Sequence, residues 1–90
     1  MIKAKLFYDK VDDINFGNHG RLNIDDKIYI LKDEAEFTNR CLSNKYEFEL
    51  STPAVDLEGN EYIVYWIFEE VEGWELDQYD YENIDRIIKI

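Results

Sequence analysis

The seven-residue run Tyr62–Phe68 (Tyr-Ile-Val-Tyr-Trp-Ile-Phe) constrains the fold of this chain more than any other feature. It is far short of the about 20 apolar residues that a membrane-spanning helix needs. Its β-branched and aromatic content marks a strand, which the pattern extends over Tyr62–Val71. Large side chains fall on both faces, Tyr62, Val64, Trp66 and Phe68 against Ile63, Tyr65 and Ile67. That predicts a central strand covered on both sides. Just before it, Asp56-Leu57-Glu58-Gly59-Asn60-Glu61 has hairpin-turn chemistry, since Gly59 and Asn60 tolerate positive φ. Upstream, Tyr46, Phe48 and Leu50 alternate with Glu47 and Glu49, so the glutamates should look outward, and Ser51-Thr52-Pro53 should end that strand.

The remaining segments read more weakly. Ile2, Ala4, Leu6 and Tyr8 alternate with Lys3, Lys5 and Phe7, which predicts a first strand, and the run 15–20 (Asn-Phe-Gly-Asn-His-Gly) is turn chemistry. Leu22 and Ile24, then Asp25-Asp26, then Lys27–Leu31 predict two strands joined tightly. Asp33 with Glu36 three residues on is an Asp variant of the capping box. It predicts a short helix over about 34–43, with Ala35, Phe37, Thr38, Cys41 and Leu42 toward the core. Residues 74–83 read as loop or a turn of helix, and Ile84–Ile90 as a closing strand. The sum is an α+β domain, an antiparallel sheet of five to six strands with one short helix.

Ninety residues form one domain, 1–90, and 46% hydrophobic content with seven Tyr, five Phe and two Trp excludes intrinsic disorder. A single cysteine, Cys41, excludes an intrachain disulfide and a cysteine zinc site. Met1–Asp9 lacks the apolar stretch of a signal peptide. These features predict a soluble protein of a reducing, cytoplasmic compartment.

The charge is concentrated. Residues 1–45 carry eight acidic and eight basic side chains, whereas residues 46–90 carry thirteen acidic ones against Arg86 and Lys89, so the whole net charge of −11 lies in the second half. Such a balance opposes direct binding to nucleic acid or to an anionic membrane. It points instead to a basic partner surface. The densest stretch interleaves Glu69, Glu70, Glu72, Glu75, Asp77, Asp80, Glu82 and Asp85 with Trp74, Leu76, Tyr79 and Tyr81. An acidic run is often only a solvated face, but one this rich in aromatics also suits an interface. The candidate partner-binding residues are therefore Glu69, Glu70, Glu72, Trp74, Glu75, Asp77, Tyr79, Asp80, Tyr81 and Glu82.

Catalytic and cofactor candidates are poor. His19 sits in a turn with no recognisable nucleophile motif, and Cys41, on the apolar side of the predicted helix, reads as a buried hydrophobe. Counted from Asp56, the sixth and twelfth positions of a calcium loop would be Glu61 and Ile67, so the EF-hand pattern fails. Glu69 and Glu70 would point to opposite faces of a strand, and no phosphate-cradling glycine loop is present. The expectation is a non-enzyme without cofactor or metal.

Strand-borne carboxylates two residues apart are separated by about 6.7 Å. That is comparable in scale to the through-space separation of successive phosphates along one DNA strand, which rise about 3.4 Å along the helix axis. A carboxylate face can thus pair with the lysines and arginines of a nucleic-acid-binding cleft. In size, charge, and Ile, Lys, Asn and Glu-rich style, the whole chain resembles small acidic proteins of phages and mobile elements, anti-CRISPR and anti-restriction inhibitors among them. The resemblance implies an inhibitor that occupies the nucleic-acid-binding site of a bacterial host defence or DNA-binding protein, a CRISPR effector for example. The alternative is a protein–protein interaction or accessory module (phage assembly, antitoxin-like or regulatory) without mimicry.

Overall fold

Alternating side chains and tight turns organise the chain into antiparallel strands, seen in a computed structural model that describes residues 2–7, 20–40, 42 and 45–90, the side chains of Phe7 and Asp77 aside. Tyr8, the run 15–19 with His19, Cys41 and Ser43 lie outside the described residues. The strands are β1 (Ile2–Lys3), β2 (Lys5–Phe7), β3 (Arg21–Ile24), β4 (Lys27–Leu31), β5 (Glu36–Phe37), β6 (Glu47–Asp56), β7 (Glu61–Glu69), β8 (Asn83–Ile84) and β9 (Arg86–Lys89). A three-residue 3-10 turn, Leu76–Gln78, lies between β7 and β8. Asp25 and Asp26 both adopt positive φ, 49° and 67°, which is the geometry of the tight two-residue connection joining β3 to β4.

Every pairing is antiparallel. The main path runs β2-β3-β4-β6-β7-β9, with β5 on β6, and β1 pairs β8 separately. Only Ala4 separates β1 from β2 and only Asp85 separates β8 from β9. The Ala4 N–H donates to the Glu82 carbonyl, and the Asp85 N–H to the Tyr65 carbonyl, each at 2.9 Å. The β1–β8 ladder therefore joins the two ends of the main path, and the pairings run round a ring. Closure of this kind removes the open edges of the main path, with β5 outside it as a side strand on β6.

The inner face of the ring is the core. Leu22, Leu31, Leu50, Ala54, Val64, Trp66, Phe68 and Ile84 are buried together, with Ile2, Leu6 and Ile87 packed against them. Tyr62, Val64, Trp66 and Phe68 of β7 are buried, but Ile63, Tyr65 and Ile67 on its other face are only half-buried. Cover is thus complete on the inner side and only partial on the outer one.

The fold is not α+β. Among the described residues there is no α-helix, and the predicted helix at about 34–43 is replaced by β5. The local capping signal is not realised as a cap, since the Asp33 carboxylate accepts the N–H of the adjacent Glu34 at 2.8 Å, short of the Ala35 or Glu36 N–H that an N-cap binds. A stronger demand overrides it: Ser51-Thr52-Pro53 does not end β6, which runs on to Asp56 and leaves backbone around Leu50 and Ser51 to be paired. Glu36 and Phe37 take those places, Phe37 rests on Phe48, and Asn39 at φ 61° cannot continue a helix. Pro53 is tolerated because its missing donor faces the gap between β4 and β5, where its carbonyl still accepts the Lys32 N–H at 2.9 Å. β6, not β7, is the longest strand, ten residues against nine.

Candidate functional site

An irregular strap, residues 70–82, leaves β7 and crosses the end of the β6–β7 hairpin. The Glu70 N–H makes the last rung, to the Tyr46 carbonyl at 2.7 Å. Gly73, at φ 83°, lets the chain reverse so that the Trp74 N–H reaches the Val71 carbonyl at 3.1 Å. The 3-10 turn follows, tied by Gln78 N–H to Glu75 carbonyl (3.0 Å) and by Glu75 N–H to Gln78 Oε1 (2.7 Å). Two tyrosines pin the strap. Tyr79 stacks on Phe68 with ring centres 5.1 Å apart, meets Phe48 edge-on, and accepts the Val71 N–H through its hydroxyl. Tyr81 meets Trp66 and Phe68 edge-on, its carbonyl accepts the Trp66 indole N–H at 2.9 Å, and its hydroxyl donates to the Leu76 carbonyl.

Between this strap and β5 lies an open groove of about 450 Å³. Phe37, Phe48, Val71, Trp74, Leu76 and Tyr79 give it apolar walls, and Glu70 and Glu75 add carboxylates to the lining. Its aromatics are unusually open for side chains of their size: Phe37 is 52% exposed and Trp74 47%.

The predicted site residues divide. Glu70, Trp74, Glu75 and Tyr79 come together at the groove. Glu72 is exposed in the turn beside it, and Asp77 belongs to the 3-10 turn. Glu69 ends β7 opposite Glu47. Asp80 and Glu82 serve other contacts: Asp80 accepts from the Glu82 N–H and the Asn83 amide, while Glu82 Oε2 accepts the Leu6 N–H at 2.8 Å. Tyr81 faces the core. Glu70 and Glu72 lie beyond the end of β7, so strand spacing does not relate them. Sequence reading missed Phe37 and Phe48 as groove walls, because one was assigned to a helix and the other to the hairpin core.

Two carboxylates are buried elsewhere and act within the fold. Glu49, expected to look outward, is covered on the outer face of the ring by Arg40 at 2.8 Å and Arg86 at 3.0 Å, with the Thr38 hydroxyl donating at 2.8 Å. Burial alone would raise its pKa, but the hydrogen bonds from Thr38 and Arg86 and the charges of Arg86 and Arg40 outweigh it and hold the group below the usual carboxylate range. Arg86 also lies over the Tyr65 ring, 3.9 Å from its centre. Asp56 closes the β6–β7 turn. It accepts from the Glu58 and Asn60 N–H groups, the Asn60 amide and the Tyr62 hydroxyl, all at 2.9–3.0 Å. Here too burial opposes ionisation, and the donors from Asn60, Tyr62 and Glu58 override it, lowering the pKa. Lys27 donates to the Tyr62 hydroxyl at 2.9 Å, and that bond first among several holds it above the ordinary lysine range.

Among the described residues no group of three or more His, Cys, Asp or Glu side chains is placed to hold a metal ion, and no helix is long and apolar enough to cross a membrane. No protein-family model matches the chain, and no curated protein or solved structure is significantly similar to it.

Proposed function

We propose that this chain is a non-catalytic acidic binding protein which, in the cytoplasm of a bacterial host cell, occupies the basic nucleic-acid-binding site of a partner protein, as a DNA-mimic inhibitor of the anti-CRISPR kind would. The observation that carries this reading is a set of exposed carboxylates that form no ion pair among the described residues. Glu69, Glu70, Glu72 and Glu75 are exposed on the strap and its approach. No basic residue occurs between Tyr46 and Asp85, and Arg86 is engaged by Glu49 and Asp85. Carboxylates of this kind pair with lysine and arginine much as phosphates do, and they steer a basic partner from a distance.

The test is capture from host lysate with wild type and with Glu70→Lys, Glu72→Lys, Glu75→Lys combined, followed by DNA binding of the captured protein. The expected partner is held by wild type alone, is released as salt rises from about 50 to 300 mM, and loses its DNA when this chain is added in equal amount. Capture that survives both charge reversal and salt would overturn the electrostatic reading. A partner that keeps its DNA affinity when saturated overturns mimicry and leaves an interaction module, which the apolar walls of the groove favour.

A further inference from the structure

We infer that the groove between β5 and the strap receives an extended basic segment of a partner protein, one large apolar side chain seated against Phe37 and Trp74 while flanking lysines or arginines reach Glu70 and Glu75. This deepens the proposed function and rests on its electrostatic part. Several observations converge on such an occupant.

Exposed Phe37, Trp74 and Leu76 wall one continuous space, and large open aromatics beside one another are the usual anchors of an interface. The volume of about 450 Å³ suits one or two side chains and not a whole helix. Among the described residues both charged members of the lining are glutamates, so charge complementarity selects a cationic occupant over an acidic or neutral one.

The backbone of β5 favours an extended segment. Thr38 N–H bonds to the Glu49 carbonyl at 3.1 Å, so in this antiparallel register Thr38 and Glu36 face β6 and the Phe37 N–H and carbonyl turn away from it. A strand added along that outer edge of β5, as in β-strand addition, turns alternate side chains to the face of the sheet that carries Phe37. The strap itself is held from beneath by Tyr79 and Tyr81, so the walls are positioned before a partner arrives.

The two tryptophans supply a direct readout, because Trp74 is 47% exposed and Trp66 only 1%. The probe is a short synthetic peptide of lysines and arginines around one central leucine, with a serine-centred peptide as its match. The leucine peptide is expected to shield the protein's fluorescence from acrylamide and to bind about tenfold more tightly than the serine peptide, a difference of about 1.4 kcal/mol. Glu70→Lys should weaken it by about tenfold or more. Glu58→Lys makes the same charge change at the turn end of the hairpin, roughly 33 Å away along β6, and should leave binding within about twofold. Phe37→Ala should erase the leucine preference; should it fail to fold, the two charge reversals decide alone.

Equal losses in Glu58→Lys and Glu70→Lys without shielding of Trp74 would overturn the groove, attraction then being set by net charge, and would leave the acidic-docking reading standing. Binding of neither peptide likewise overturns the groove. Partner capture that persists through charge reversal removes the wider reading and this one together.

Discussion

The two ends of the β6–β7 hairpin carry the same kinds of residue and treat them in opposite ways. At the turn end, Asp56 is buried and every oxygen has donors, from Glu58, Asn60 and Tyr62, with Lys27 3.7 Å away. At the open end, Glu70 and Glu75 stand exposed beside Phe37 and Trp74. Acidic composition is therefore no guide to function by itself. A carboxylate that closes a turn stabilises the fold, whereas one exposed among like charges repels its neighbours and is available to a partner.

Three measurements sharpen or break that contrast. The largest effect is expected midway, at Trp66, whose ring fills the core and whose indole N–H holds the strap through the Tyr81 carbonyl. Trp66→Ala should lose about 3–5 kcal/mol in urea unfolding, a large share of the about 5–15 kcal/mol available to a small domain. It should also abolish shielding of the groove by the leucine peptide. Wild-type stability in this variant would mean that the strap does not depend on the core.

Next is Asp56. Asp56 and Glu49 both have depressed pKa values in the fold. Their stabilisation is therefore complete above the unfolded values, about 3.9 and 4.3, and is lost as pH falls through the lower folded ones. Melting temperature should drop as pH is lowered from about 4 toward 2. Asp56→Asn should lower it by several degrees at neutral pH and flatten the acid limb. An acid limb of unchanged slope in that variant would show that the turn carboxylate does not contribute.

The smallest effect is at the open end. Glu72→Gln removes one exposed charge and should change stability by no more than about 0.5 kcal/mol, with any change toward greater stability because the net charge of −11 is relieved. A clear loss would mean that this end, too, is held by its acids, and the contrast would fail.

Much of this molecule was legible along the chain where the signal is local. The alternation at Tyr46–Leu50, the run Tyr62–Phe68 and the turn chemistry at Asp25-Asp26 and Gly59 appear as β6, β7 and two tight connections. The helix over about 34–43 failed because residues 33–43 are locally compatible with helix or strand, and the Asp33 carboxylate turned to the adjacent Glu34 N–H instead of capping. What selects between them is 13–15 residues away, the backbone of Leu50 and Ser51 that Phe37 and Glu36 pair. No reading of residues 33–43 contains that information.

The acidic site shows the same division. The sequence by itself determined that the negative charge belongs to residues 46–85 and that aromatics are threaded through it, since counting needs no coordinates. Only the tertiary structure decided which residues remain available. It turned Tyr79 and Tyr81 onto Phe68 and Trp66, gave Asp80 and Glu82 to neighbouring backbone and amide donors, and left Glu70, Trp74 and Glu75 at a groove that Phe37 completes from another strand. The physical reason is that availability is set by what a side chain can reach across the ring of strands, and that depends on register and closure, not on the order of residues alone.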